Sequence, residues 1–342
     1  MSGTNLFAQQ QANRRRSAVL VTIFVLFFAW IGFGADAILY LNTRGRLDGG
    51  YVHAAPVVGL ALGLLALGVA WFSWRRGPRQ ILWASGAWEM VTPSTAEEQQ
   101  LVNVVEEMAI ASGLPKPKIW VVPDDDPNAF ATGTDARNAH VAVTRGLLTA
   151  LNRDELQAVV AHEMAHVRNY DVRLMTLLAA LVGVLALVSD GVMRSLRFGG
   201  RGGRGVRGGG KKGGGALLLI LLVIWLISVL LAPIVSRLLA LGVSRKREFL
   251  ADATGAQFTR NPGALATALQ KIEQSAAPTK AIHRGSAHLC IADPLGRRLT
   301  NKQGFVADLL ATHPPMATRI ARLKQMAYQF EKTGELPEML MP

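Results

Sequence analysis

Two imidazoles and a carboxylate sit close together in Ala161-His162-Glu163-Met164-Ala165-His166. On a helix, His162 and His166 stand one turn apart on one face, where both rings can converge on a single ion, zinc foremost. Glu163 neighbours that face and suits a general base that takes a proton from a metal-activated water. The chemistry this pattern offers is metal-assisted hydrolysis. The flanking sequence supports the helix: Asn152 and Glu155 form a capping box, and Leu156, Val159, Val160, Met164 and Val167 recur at helical spacing. A buried helix with incidental histidines would show the periodicity but has no need of the His-Glu-x-x-His spacing.

Two histidines leave a zinc set short of a ligand. Ser244-Arg245-Lys246-Arg247-Glu248-Phe249-Leu250-Ala251-Asp252 opens a second helix with Glu248 and Asp252 four apart on one face. That spacing suits a glutamate ligand plus an aspartate that orients a ligand histidine through its other ring nitrogen. An ordinary charged helix face has the same spacing. Two histidines, a glutamate and an open position make a catalytic rather than a structural zinc set. Cys290 is the only cysteine, which excludes an intramolecular disulfide and a thiolate cage. His140 alternates with apolar residues and reads as a surface or satisfied strand histidine; His288 lies in a stretch, residues 278–312, that could line a cleft.

The rest of the chain must hold these pieces at a membrane. Half the residues are hydrophobic, only 18% are charged and Gly numbers 34, a balance that points to a membrane protein. The net charge of +13 clusters beside apolar segments and favours anionic lipid head groups over nucleic acid. Residues 1–16 form a polar tail ending in Arg14-Arg15-Arg16. Residues 17–76 hold two spans, Ser17 to Leu41 and Ala54 to Trp74. The first is too long for a signal-peptide core. Arg75, Arg76 and Arg79 with the amino-terminal arginines outweigh Arg44 and Arg46, which places both ends of this hairpin in the cytoplasm. Residues 84–171 read as the first half of a catalytic domain. Ser94 with Glu97 suggests a capping box, Gly113 a helix stop, and Lys118–Val122 and Ala139–Val143 strands. Asp124-Asp125-Asp126 lacks calcium-ligand spacing and reads as a solvated turn. Residues 172–241 form an apolar hairpin around a glycine/arginine loop at 199–215, read as a flexible linker, and residues 244–342 form the second half. A helix running on from His166 into Leu174 would put the metal roughly 10 to 15 Å from the apolar boundary.

Together these motifs resemble the HtpX-type membrane zinc metallopeptidases, relatives of the CAAX prenyl endopeptidases. The resemblance rests on the two amino-terminal spans, Asn128-Ala129-Phe130, His162 to His166, and Arg247 to Asp252. Ala287-His288-Leu289 with Asp293-Pro294-Leu295, and Thr312-His313-Pro314-Pro315 with Arg319, also match. It covers nearly the whole chain; the glycine/arginine tract is longer than the family pattern. It implies one zinc ion held by His162, His166 and Glu248, Glu163 as general base, and Asp252 behind a ligand histidine. It also implies a substrate-facing edge at Asn128, Ala129 and Phe130, with His313 and Arg319 aiding substrate or transition-state binding. The expected fold is α+β and mostly helical: a membrane-anchored, gluzincin-like metallopeptidase domain with a small antiparallel sheet and up to four transmembrane segments. The expected activity is zinc-dependent endopeptidase cleavage of misfolded or damaged membrane proteins at the cytoplasmic side of the inner membrane, with protein substrates and the bilayer as partners and no nucleic acid. A metal-binding membrane scaffold without turnover, and an RNA tether acting through the glycine/arginine tract, are the rival readings.

Overall fold

The computed structural model describes residues 6–43, 52–181, 245–275, 281, 289–292 and 314–336. The glycine/arginine tract, the apolar run at 216–232, His288 and His313 lie outside the described residues. The chain divides into two compact units. One comprises Met1–Ser17, Trp74–Ala180 and Ala240–Pro342, and the other Ala18–Ser73 and Leu181–Leu239.

Two long helices open the chain, α1 (Leu6–Thr43) and α2 (Val57–Ala84). Both are long and apolar enough to cross a membrane; at 1.5 Å per residue the 38 residues of α1 reach ~57 Å. Within the second unit the buried Asp36 of α1 closes the start of α2. Its carboxylate accepts from the Val58 and Gly59 amides at 3.0 and 2.6 Å and lies 2.7 Å from His53 Nε2. The first amides of a helix have no intrahelical acceptor, so a carboxylate there satisfies them and complements the helix dipole.

In the first unit, β1 (Trp88–Glu89), β2 (Lys118–Val122), β3 (Ala129–Gly133) and β4 (Ala139–Thr144) form a four-stranded sheet in the order β1-β2-β4-β3. The sheet is mixed, not antiparallel. β2 and β4 run parallel, because β3 intervenes in sequence and is placed outside β4 at the edge. α3 (Ala96–Ser112) packs Leu101, Val104, Val105 and Met108 into the core with Ile119, Val121, Val141 and Val143. Its cap is Thr95, whose side chain accepts from the Glu98 amide, while the Glu98 carboxylate accepts from the Ser94 amide and hydroxyl; the N-cap is thus Thr95 and not Ser94, and the Ser94–Glu97 box does not form. Gly113 ends α3 at φ 69°, the left-handed position glycine adopts without strain. The aspartate triplet is less solvated than expected. Asp124 and Asp126 are buried and accept from the Ala281 amide and the Ser275 hydroxyl, tying the β2–β3 turn to the carboxyl-terminal half.

A short α4 (Arg145–Ala150) leads to α5 (Arg153–Arg168), whose Asn152–Glu155 capping box is complete. α5 is buried on every side from Ala158 to Val167, between the sheet and α6 (Arg245–Thr259), α7 (Pro262–Gln274) and α8 (Met316–Thr333). Leu265, Leu269, Ile272 and Leu323 close the core from that side.

Candidate active site

α5 places His162 and His166 one turn apart, as their spacing requires, and α6 crosses it closely enough to bring Glu248 to both rings. The close crossing depends on Gly255, three residues past Asp252. A Cβ there would lie 3.0 Å from the His162 amide nitrogen and 3.1 Å from its Cα, so a side chain at 255 would require the two helices to part by a few tenths of an ångström. His162 Nε2 and His166 Nε2 are 3.2 Å apart. Glu248 reaches them at 3.7 Å (Oε2 to His162) and 3.5 Å (Oε1 to His166). Ligands about 2.0–2.1 Å from a tetrahedral zinc are separated by about 3.3–3.4 Å; the two Nε2 atoms have that spacing, and the three ligand atoms, one per residue, lie within 4.8 Å of one another.

Each histidine has a carboxylate on its far nitrogen. His162 Nδ1 lies 2.9 Å from Asp252 Oδ1, and His166 Nδ1 lies 3.3 Å from Asp171 Oδ2. With both Nδ1 atoms turned to carboxylates, both Nε2 lone pairs face one another and Glu248 in a buried pocket. Without a metal a proton on His166 Nε2 can bridge this cluster, and two imidazoles with one carboxylate are the donor set of a catalytic zinc site. The donor chemistry therefore fits zinc. Glu163 is buried, and neither of its carboxylate oxygens has a hydrogen-bond partner among the described residues. Burial is the main force on its pKa and pushes it up to about 7; His166 pulls it down and Glu248 adds to the rise. A carboxylate poised near neutrality is suited to accept and return a proton.

The two histidines are electrostatically unequal. Burial holds the His162 pKa below its ordinary value against the pull of Asp252. Burial would also lower His166, but the Asp171 hydrogen bond and the charges of Glu248, Asp171 and Glu163 outweigh it, and the pKa rises to about 9. A protonated imidazole cannot ligate, so below about pH 9 zinc must displace a proton from His166. Apparent zinc affinity should fall by up to about tenfold per pH unit from pH 9 towards neutrality and level off above it. Competition titrations against a chelator across that range measure the slope; affinity that does not vary with pH would contradict this electrostatic picture.

Arg319 of α8 is wholly buried behind the ligands. Its Nε and Nη2 grip Asp252 at 2.9 and 2.7 Å, and its Nη1 lies 3.3 Å from Glu248 Oε2. Nη1 also donates to the Ile291 carbonyl at 2.9 Å. Burial alone would raise the Asp252 pKa, but the Arg319 charge and the Arg319 and His162 hydrogen bonds hold it below the usual carboxylate range. The chain's own residues 289–292 lie along the start of edge strand β3. The Ile291 amide donates to the Ala129 carbonyl at 2.9 Å, Phe130 bridges Cys290, and Asn128 Nδ2 donates to the Ala292 carbonyl at 3.1 Å. Asn128, Ala129, Phe130 and Arg319 thus converge on one segment beside the metal ligands.

Asp171 carried no signal in the sequence beyond an acid five residues after His166. α5 stops at Asn169, and Tyr170 takes φ 59°. This break swings Asp171 back under the His166 ring and starts a new helical run at 171. The straight-helix distance from metal to apolar boundary therefore does not hold. His140, as expected, is satisfied: buried, it accepts from Trp120 Nε1 at 3.1 Å.

The model of peptidase family M48 matches residues 95–327, the span that carries every one of these ligands. The chain belongs to peptidase family M48. Among its relatives are the proteins described as "Protease HtpX homolog" from Tropheryma whipplei strain Twist, 43% identical over 78% of this chain and 85% of that one, and from Streptococcus gordonii, 37% identical over 94% and 100%. A third, from Listeria monocytogenes serotype 4a, is 38% identical over 94% of this chain and 100% of its own length. Within M48 the chain is thus of the HtpX type, and it is a protease by family. The crystal structure of S. mikatae Ste24p aligns over 90% of this chain and 66% of that one at 17% identity and TM-score 0.44, too remote to carry an argument.

Proposed function

We propose that this M48 member is a membrane-anchored zinc endopeptidase that cleaves misfolded or damaged membrane proteins at the cytoplasmic side of the inner membrane. The observation that carries the reading is the convergence of His162, His166 and Glu248, with ligand atoms all within 4.8 Å of one another, beside a buried Glu163 carboxylate with no hydrogen-bond partner among the described residues. Zinc held there would acidify its water and polarise the scissile carbonyl. Glu163 accepts the proton of the attacking water at its carboxylate and returns it to the leaving amine. Asp252 and Asp171 keep the two imidazoles in the tautomer that presents Nε2. Arg319 keeps Asp252 ionised and, with Asn128, fixes residues 289–292 as one wall of the substrate cleft. An extended substrate would lie along strand β3 past Phe130, beyond the start that residues 289–292 cover. The family resemblance assigns His313 to the developing oxyanion.

Two apolar helices and the arginine bias around them support a multi-pass protein whose catalytic half faces the cytoplasm. The test is a membrane-anchored, unfolded substrate co-reconstituted with the purified chain in proteoliposomes, tagged on both faces. Zinc-dependent loss of the tag on the face carrying the amino terminus is expected. Cleavage on the opposite face would sink the orientation, and metal-bound protein that never cleaves would favour a scaffold without turnover.

A further inference from the structure

Asp171 is wholly buried and makes three contacts. Its Oδ2 lies 3.3 Å from His166 Nδ1, its Oδ1 accepts from Asn13 Nδ2 at 2.7 Å, and Arg247 Nη1 stands 3.7 Å from the same Oδ1. Asn13 precedes the apolar run of α1 and is 1% exposed. The same Nδ2 donates to the Asn169 carbonyl at 3.0 Å, where α5 ends. The Ser17 hydroxyl donates to the Asn13 carbonyl at 2.9 Å, and the Arg14 guanidinium lies 5.1 Å from the Tyr170 ring centroid. The segment ahead of the first apolar run is therefore fastened onto the 169–171 turn.

We infer that Asn13 is a positioning residue for the ligand His166, acting through Asp171, so that the segment before the first apolar run is a working part of the metal centre. The two histidine supports differ. Asp252 is clamped by both prongs of Arg319, which fixes charge and orientation together. Asp171 faces the Arg247 guanidinium, which stands 3.7 Å away and makes no hydrogen bond of ordinary length among the described residues. Arg247 offsets the charge of Asp171 but cannot orient it. The short bond from Asn13 does: with Oδ1 held, Oδ2 is presented to the His166 Nδ1–H, which sets the ring plane and turns Nε2 toward His162 and Glu248. The bond also holds the turn that places Asp171, because the other proton of the same amide engages Asn169.

This inference rests on the metal reading of the site, and the test separates the two. Full-length protein in detergent is stripped of metal. Zinc affinity is then measured by chelator competition, the cobalt(II) absorption spectrum is recorded, and thermal unfolding of the metal-free form is followed. The chains compared are wild type, Asn13→Ala, Asn13→Asp, the exposed-site control Gln11→Ala, and His166→Ala. The expected result is an Asn13→Ala affinity about tenfold below wild type, in the range seen when the outer partner of a ligand histidine is lost, with a shifted cobalt spectrum. Asn13→Asp should lose at least as much, since it sets a second carboxylate against Asp171, and Gln11→Ala should match wild type. The inference is overturned if both Asn13 variants bind zinc and cobalt as wild type does while only the metal-free unfolding temperature drops. If His166→Ala also binds zinc like wild type, the metal reading falls with it.

Discussion

Glu163→Gln is expected to retain zinc and lose about 10²–10⁴-fold in peptide hydrolysis, the contribution typical of a positioned general base. The substitution is nearly isosteric, so α5 packing and the triad of His162, His166 and Glu248 should survive. What is lost is a group that can take a proton. Glu163 is buried, its oxygens have no hydrogen-bond partner among the described residues and its pKa is raised to about 7, which suits it to that proton transfer. Loss of metal along with activity would mean that Glu163 shapes the ligand set rather than the proton transfer. Full activity would remove it from the mechanism.

The second large effect is structural. Arg319→Met strips Asp252 of the cation that both prongs of the guanidinium supply. An uncompensated charge then remains in the core, which costs about 3–5 kcal/mol. Arg319→Lys should rescue little, because an ammonium cannot span both oxygens of Asp252 while also reaching the Ile291 carbonyl. The sign of the pH dependence follows from Asp252. Its folded pKa is depressed, so it contributes stability above the unfolded carboxylate pKa, lost as pH falls through the folded value. In Arg319→Met the stranded carboxylate can escape by protonation, so the deficit against wild type should narrow as pH falls toward about 4. Chemical unfolding of metal-free protein at two pH values checks this. A deficit that does not change with pH would mean that lost packing, not the stranded charge, sets the cost.

Much of this site was legible because its chemistry is local. His162, Glu163 and His166 lie within one helical turn, Glu248 and Asp252 within another, and the Asn152–Glu155 cap announces the first helix. The parts that escaped depend on distant pairings or on backbone that breaks a local rule. Tyr170 adopts a left-handed conformation without a glycine to signal it, so local sequence points to a continuous helix and gives Asp171 no role. Asn13 meets Asp171 across 158 residues of sequence. The parallel pairing of β2 with β4 follows from where β3 docks, which strand propensity does not encode. Arg319 was visible as a family position, but not its grip on Asp252 and Ile291, which requires α8 to pack against α6 and the 289–292 segment at once.

The central claim is that His162, His166 and Glu248 hold a hydrolytic zinc ion, and zinc content measured together with cleavage of an unfolded protein substrate tests it most directly. Wild type and Glu248→Ala are purified in chelator to suppress self-cleavage and then titrated with zinc. The account predicts that wild type takes up one zinc per chain and gains activity in step with it, whereas Glu248→Ala does neither at the same zinc concentration. A Glu248→Ala protein that binds zinc and cleaves as wild type does would contradict it.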